Sequence, residues 1–259
     1  MVEPVQVGST MIFGRLPTPG PRAAFVERLT RETQIRCEVD LDGVGRSSVH
    51  TPLGFLTHML EAFARHAHVD LSIHVVGDLE VDQHHTVEDT GLVLGEALRS
   101  ALGDRRGIWR TANVEFPMDE TRAACAVDLS GRPYLVFNAE FTRDHVGALA
   151  TDLVIEFFQA LTTSLAANVH LRLCCGHNDH HRVEALFKAF ARAFELAAAV
   201  HPRAAAEIPS TKGALDLVGR PGGGAKASGE VAGNAQTPAA RLVQTTSGGF
   251  SLDELEEAR

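Results

Sequence analysis

The sequence predicts an α+β protein made of two similar halves. Three observations carry that prediction. The order strand, strand, helix, strand, helix runs twice along the chain. The last helix of each run opens on the same signature, His84-His85-Thr86-Val87-Glu88 and His180-His181-Arg182-Val183-Glu184. Both ends of the 259-residue chain lack the periodicity of its middle. Two sheets, with helices packed between them or on one side, are the simplest way for such halves to bury their apolar faces.

Residues 1–24 hold several Pro and Gly without apolar periodicity and read as a flexible arm. The first half is placed at residues 25–110. There Ile35, Cys37, Val39 and Leu41 alternate with polar residues as a half-buried strand, and Asp42-Gly43 turns the chain into a second. Pro52 precedes a helix with Leu56, Leu60, Phe63 and Ala67 on one face. Leu71, Ile73 and Val75 form a strand, and HHTVED opens a helix along Leu94, Ala97, Leu98 and Ala101, with Gly103 beyond its end. The second half, residues 111–216, repeats the order. Strands are expected at Ala112–Phe116 and Ala123–Leu129, with SGRP turning into YLVFNAEF. A helix over Leu149–Ala166, a strand over Val169–Leu173 and the HHRVEALFKAFARAF helix follow. Residues 217–259 are Gly/Ala-rich, too poor in apolar surface to offset their ordering entropy, and are expected to be a disordered tail. Within it, Ser251-Leu252-Asp253-Glu254 has the form of a capping box for a short acidic helix.

Composition narrows the function classes. With 44% apolar and 22% charged residues the chain can bury an ordinary core, and a net charge of -9 argues against nucleic acid as its main partner. Cys37, Cys125, Cys174 and Cys175 form no CxxC pattern, which fits a reducing compartment. No signal peptide and no apolar run long enough for a bilayer is present, so a cytoplasmic protein away from membranes is expected.

The doubled HHxxE points to metal. Adjacent helical residues project about 100° apart, whereas positions three or four apart share a face. His84 and His85 therefore do not serve one ion together, and Glu88 can join either. Two copies can exchange spare histidines and build two sites. Imidazole and carboxylate suit Mn, Fe, Co or Zn. His58, on the helix before the first signature, and Glu156, on the equivalent helix before the second, are candidates for the missing ligands. His170, in an alternating strand, is a weaker rival; His74 and His145 read as surface or structural.

Several motifs in order resemble the imidazoleglycerol-phosphate dehydratase family of histidine biosynthesis: RETQI (Arg31–Ile35), GFLTHML (Gly54–Leu60), DQHHTVED (Asp82–Asp89), FPMDE (Phe116–Glu120), DLSGRPYLVF (Asp128–Phe137), GHNDHHRVEALFKAFARA (Gly176–Ala193) and IPSTKGAL (Ile208–Leu215). The resemblance implies duplicated ββαβα halves, two Mn2+ per active site, and a homo-oligomeric shell of 24 subunits built from trimers, with sites shared between neighbours. It implies His58, His85, Glu88 and His180 on one ion, and His84, His181 and Glu184 on the other, with Glu156 where many relatives carry His. Thr57 and Pro52 depart from the Asp and Gly usual in the family. The loss of that Asp bears on how a metal-binding His is oriented.

The implied reaction removes water from imidazole glycerol phosphate to give imidazole acetol phosphate. Two ions on the imidazole nitrogens let the ring take up electrons as water leaves. Glu32 is the candidate proton shuttle, with a ligand carboxylate, Glu88 or Glu184, or a metal-bound water as rival. Arg110, Arg132, Ser210, Thr211 and Lys212 are candidates to hold the phosphate, and His66 to touch substrate. Two other classes use the same signature: a dinuclear metallohydrolase, and a non-catalytic metal-binding shell with no need of Arg110, Arg132 and Lys212.

Overall fold

Strand β2 (Thr33–Asp40) shows how each half is made. Thr33, Ile35, Cys37 and Val39 are buried while Gln34, Arg36 and Glu38 face outward, the alternation of a sheet with one covered face. Strand β6 (Thr121–Asp128) repeats it with Thr121, Ala123, Cys125 and Val127 inward. The buried Cys37 and Cys125 occupy equivalent positions, and all four cysteines are free.

The computed structural model describes residues 22–212, Leu215 and the backbone of Arg241–Val243. The first half continues from β1 (Ala23–Leu29) and β2 through β3 (Ser47–His50), α1 (Gly54–Ala67), β4 (Asp70–Gly77) and α2 (His84–Leu102). The second runs β5 (Thr111–Met118), β6, β7 (Tyr134–Asn138), a small hairpin of β8 (His145–Val146) and β9 (Leu149–Ala150), α3 (Leu153–Leu165), β10 (Asn168–Cys175) and α4 (Asp179–Ala198). Strand β11 (Arg241–Val243) lies along β1.

The sheet orders are β11-β1-β2-β4-β3 and β5-β6-β10-β7. In each, the strand after the first hairpin joins in parallel, β3 on β4 and β7 on β10; the other pairings in these two sheets are antiparallel. Helices α1 and α2 cover the first sheet, α3 and α4 the second, and the layers meet helix to helix, α1 on α4 and α2 on α3. The sheets are therefore outermost and the helices lie between them. Phe63 of α1 stacks on Phe190 of α4 at 5.8 Å. On the other side, Gly91 and Gly95 of α2 leave room for the backbone of α3: a Cβ on Gly91 would stand 2.5 Å from the Phe157 carbonyl oxygen.

Three elements differ from the sequence expectation. Strand β1 begins inside the stretch expected to be arm, because Val26 is its only buried residue and the alternation carries little apolar signal. Helix α3 starts at Leu153 rather than Leu149, since Leu149 pairs with Val146 in the β8–β9 hairpin. Strand β11 falls within the expected tail, Val243 opposite Phe25. The arm up to residue 21 and the helix expected at Ser251 lie outside the described residues. Among the described residues no helix is long and apolar enough to cross a membrane.

Candidate metal centre and anion-binding residues

Helix α4 starts at an Asn178 cap whose side chain accepts the His180 N–H at 3.0 Å. One turn in, His180 Nε2 meets Glu184 Oε2 at 3.1 Å. His58, carried on α1 by the packing of α1 against α4, brings its Nε2 to 3.6 Å from the same oxygen. Phe55 packs on the His180 ring at 5.0 Å. Ligand atoms of His58, His180 and Glu184 thus lie within 4.8 Å of one another. Glu184 is buried, and its other oxygen takes Lys188 Nζ at 2.7 Å. Burial alone would raise the Glu184 pKa. The Lys188 bond and the charges of Lys188, His58 and His180 outweigh it and hold the carboxyl below its ordinary value. The result is an anion facing two imidazole nitrogens.

The first signature is more open. His84 Nε2 stands 3.6 Å from Glu88 Oε2. In both copies, then, the glutamate faces the first histidine of the pair, four residues back, and the second histidine turns aside. His85 Nδ1 faces Asp78 at 3.2 Å, and His181 Nδ1 faces Glu120 at 2.8 Å. The bond from His181 and then the Asn178 N–H, with further help from His177 and Thr121, hold Glu120 well below the usual carboxylate range despite some burial. Glu32 belongs to this end of the molecule: its carbonyl accepts the Asp78 N–H at 3.1 Å.

Glu156 lies in the first turn of α3, yet among the described residues it joins no cluster of three potential metal ligands. Within one chain Glu184, rather than Glu88, completes the group of His58 and His180. Thr57 bonds the Thr51 hydroxyl at 3.0 Å, tying down the start of α1. His74, His145 and His170 are exposed and stand in no such cluster. His66 is further along α1, its ring 5.2 Å from Phe116, with Lys188 Nζ 5.8 Å from the same ring. Burial, then the charges of Lys188 and Arg192, lower its pKa.

The phosphate candidates gather elsewhere. Arg110 forks onto Asp128 at 2.7 and 3.0 Å and reaches the Pro209 carbonyl at 2.9 Å, which brings the 209–212 loop to it. Ser210 Oγ accepts the Lys212 N–H at 3.1 Å, and Thr211 and Lys212 are exposed. Arg132 is exposed on the turn after β6, near the same end of the sheet, where its carbonyl accepts from Asn168. The Arg110 N–H bonds Ala197 at the far end of α4. From Glu184 to Ala197 the helix rises about 20 Å, so one chain does not bring these residues to its own imidazole cluster.

The sequence reading gave no role to Lys188, Asp78 or Glu120. Lys188 was recoverable as the helical neighbour of Glu184 in HHRVEALFK. Asp78 and Glu120 reach their histidines from loops, which no periodicity reports.

Comparison with known proteins follows the same line. A family model described as imidazoleglycerol-phosphate dehydratase matches residues 51–194. The imidazoleglycerol-phosphate dehydratase of Xanthobacter autotrophicus is 54% identical over 194 residues, 75% of this chain and 98% of that protein. A histidine biosynthesis bifunctional protein of Spirosoma linguale is 49% identical over 203 residues, 78% of this chain and 52% of that protein. The crystal structure of imidazoleglycerol-phosphate dehydratase from Staphylococcus aureus superposes with a TM-score of 0.63 at 38% identity, covering 69% of this chain and 99% of the other.

Proposed function

This chain belongs to the imidazoleglycerol-phosphate dehydratase family, and on that premise we propose how its residues divide the work of the reaction. The activity is the family's: water is removed from imidazole glycerol phosphate, giving imidazole acetol phosphate in histidine biosynthesis. The reading is supported above all by the convergence of His58, His180 and Glu184.

That donor set fits a divalent transition ion: two imidazole nitrogens and a buried carboxylate kept anionic, the combination that suits Mn2+ among others. In our reading two Mn2+ are held per active site by His58, His84, His85, Glu88, His180, His181 and Glu184, with Glu156 as the further donor. When bound, they supply Lewis acidity toward the substrate's imidazole. The chain's own groups do the rest. Lys188 keeps one oxygen of Glu184 occupied and leaves the other facing His58 and His180. Glu32, exposed at the same end as His85, is placed to move the proton between substrate carbon and departing hydroxyl, with Glu88 and Glu184 as the other carboxylates in reach of the donors. Arg110, Arg132, Ser210, Thr211 and Lys212 hold the phosphate, and His66 contacts the substrate.

The separation along α4 supports a site completed by a neighbouring subunit. A substrate with a three-carbon chain does not span the length from Glu184 to Ala197. From that separation we infer a homo-oligomer, and from the family resemblance a shell of 24 subunits assembled from trimers, acting in the cytoplasm. Turnover of imidazole glycerol phosphate is expected to stop on chelation and to return with Mn2+, and Lys212→Ala is expected to raise KM. Full activity in the chelated protein would refute the metal reading, and a monomer in sedimentation would refute the shared site.

A further inference from the structure

The duplicated strands align Glu32-Thr33 of the first half with Glu120-Thr121 of the second, each pair standing at the start of the second strand, β2 or β6. Equivalent carboxylates have nevertheless taken different surroundings. Glu120 is fully engaged. Its Oε1 accepts the N–H groups of His177 and Asn178 at 3.2 and 3.0 Å and the Thr121 hydroxyl at 3.0 Å, while its Oε2 accepts His181 Nδ1 at 2.8 Å. The Glu32 carboxylate is exposed and, among the described residues, accepts no hydrogen bond. The histidine it would otherwise anchor, His85, is held by Asp78, a residue on the loop after β4. The second half has no need of such a residue, because Glu120 fills that place.

We propose that Asp78 and Glu120 are positioning residues that fix the tautomer of His85 and His181, and that Asp78 thereby leaves Glu32 free for proton transfer. A carboxylate opposite Nδ1 requires the proton there, so the lone pair is on Nε2. The other imidazoles of the centre, His58, His84 and His180, also present Nε2 toward their carboxylates. Nε2 is thus the nitrogen turned toward the ligand carboxylates in these three rings, and the two anchors make it the available nitrogen in His85 and His181 as well. Two anchors drawn from different elements doing one task argue for selection of the task itself, since duplication alone would have left both anchors at one position.

This inference rests on the reading of both signatures as ion ligands, and its test separates the two. Glu120→Gln is the informative variant. The amide keeps an oxygen for the His177 and Asn178 N–H groups but sets an NH2 against His181 Nδ1, which drives the ring to the tautomer with Nε2 protonated. Asp78→Asn does the same to His85. Titration of the chelated full chain with Mn2+ alone should show each variant binding roughly 10- to 100-fold more weakly than wild type. Glu120→Gln also weakens the bonds that the carboxylate accepts from the His177 and Asn178 N–H groups, so the chelated variant is expected to melt lower while remaining folded. Glu120→Gln should add no loss in a chain that already carries His181→Ala, and Glu32→Gln should leave Mn2+ affinity as it is. Unchanged affinity in both amide variants would overturn the proposal, as would a Glu120→Gln loss that persists without His181, because that loss would be structural. A wild-type chain that binds no Mn2+ would instead overturn the ligand reading underneath.

Discussion

Two variants impaired at low substrate concentration are expected to rescue each other. His180→Ala removes an imidazole from the cluster at the start of α4, and Lys212→Ala removes a cation from the loop joined through Arg110 to the other end of that helix. The rise of α4 between those ends, about 20 Å, prevents one chain from supplying both groups to one substrate. When the two variants are co-expressed in equal amounts and mix at random, every chain carries one defect. If each site draws His180 from one subunit and Lys212 from another, both are intact in about one quarter of sites, so activity should reach about one quarter of wild type per site. If one chain supplied both groups, no site would be whole. The assay is turnover of imidazole glycerol phosphate by the mixed particle, isolated through a different affinity tag on each variant. Activity no higher than that of either variant alone would refute the inference from helix length to a shared site.

Two further outcomes test the energetics. Asp70 is buried and accepts the N–H groups of Val44 and Arg46, both at 2.9 Å, together with the Arg46 guanidinium. Burial works against its charge, but those bonds win and lower its pKa. The stabilisation is therefore present in full above the ordinary carboxylate range and is lost as pH falls through the depressed native value. Asp70→Asn should cost about 1–2 kcal/mol in urea unfolding at neutral pH through the backbone bonds, with the solvent-facing guanidinium adding little, and the deficit should shrink in acid. A deficit that does not change with pH would assign it to packing. Lys188→Met leaves the buried Glu184 without its cation and should cost about 3 kcal/mol in chelated protein, less once Mn2+ supplies positive charge. An equal deficit with and without Mn2+ would show that the carboxylate is not at the ion.

How far the site could be read from the residues differs element by element. Both HHxxE helices were legible because their apolar faces and their signatures are local patterns. Spacing alone leaves both His84 and His85 open to Glu88, since three- and four-residue spacings share a face; in the structure the Glu88 carboxylate stands 3.6 Å from His84. Strand β1 escaped because the side chains of AAFVERL are mostly half-exposed. The duplication nominates Glu156 as the counterpart of His58; among the described residues of one chain the cluster of His58, His180 and Glu184 forms without it.

The order of the elements, the doubling and the imidazole-rich helix starts were written in the sequence, because backbone periodicity and residue chemistry act between neighbours in the chain. Tertiary structure decided that His58 of one half meets His180 and Glu184 of the other, that loop carboxylates hold His85 and His181, and that Arg110 stands at the opposite end of α4. Those facts depend on which helix faces pack together and how far a helix carries the chain. Such distances arise from the packing of remote segments, and a local pattern does not encode them.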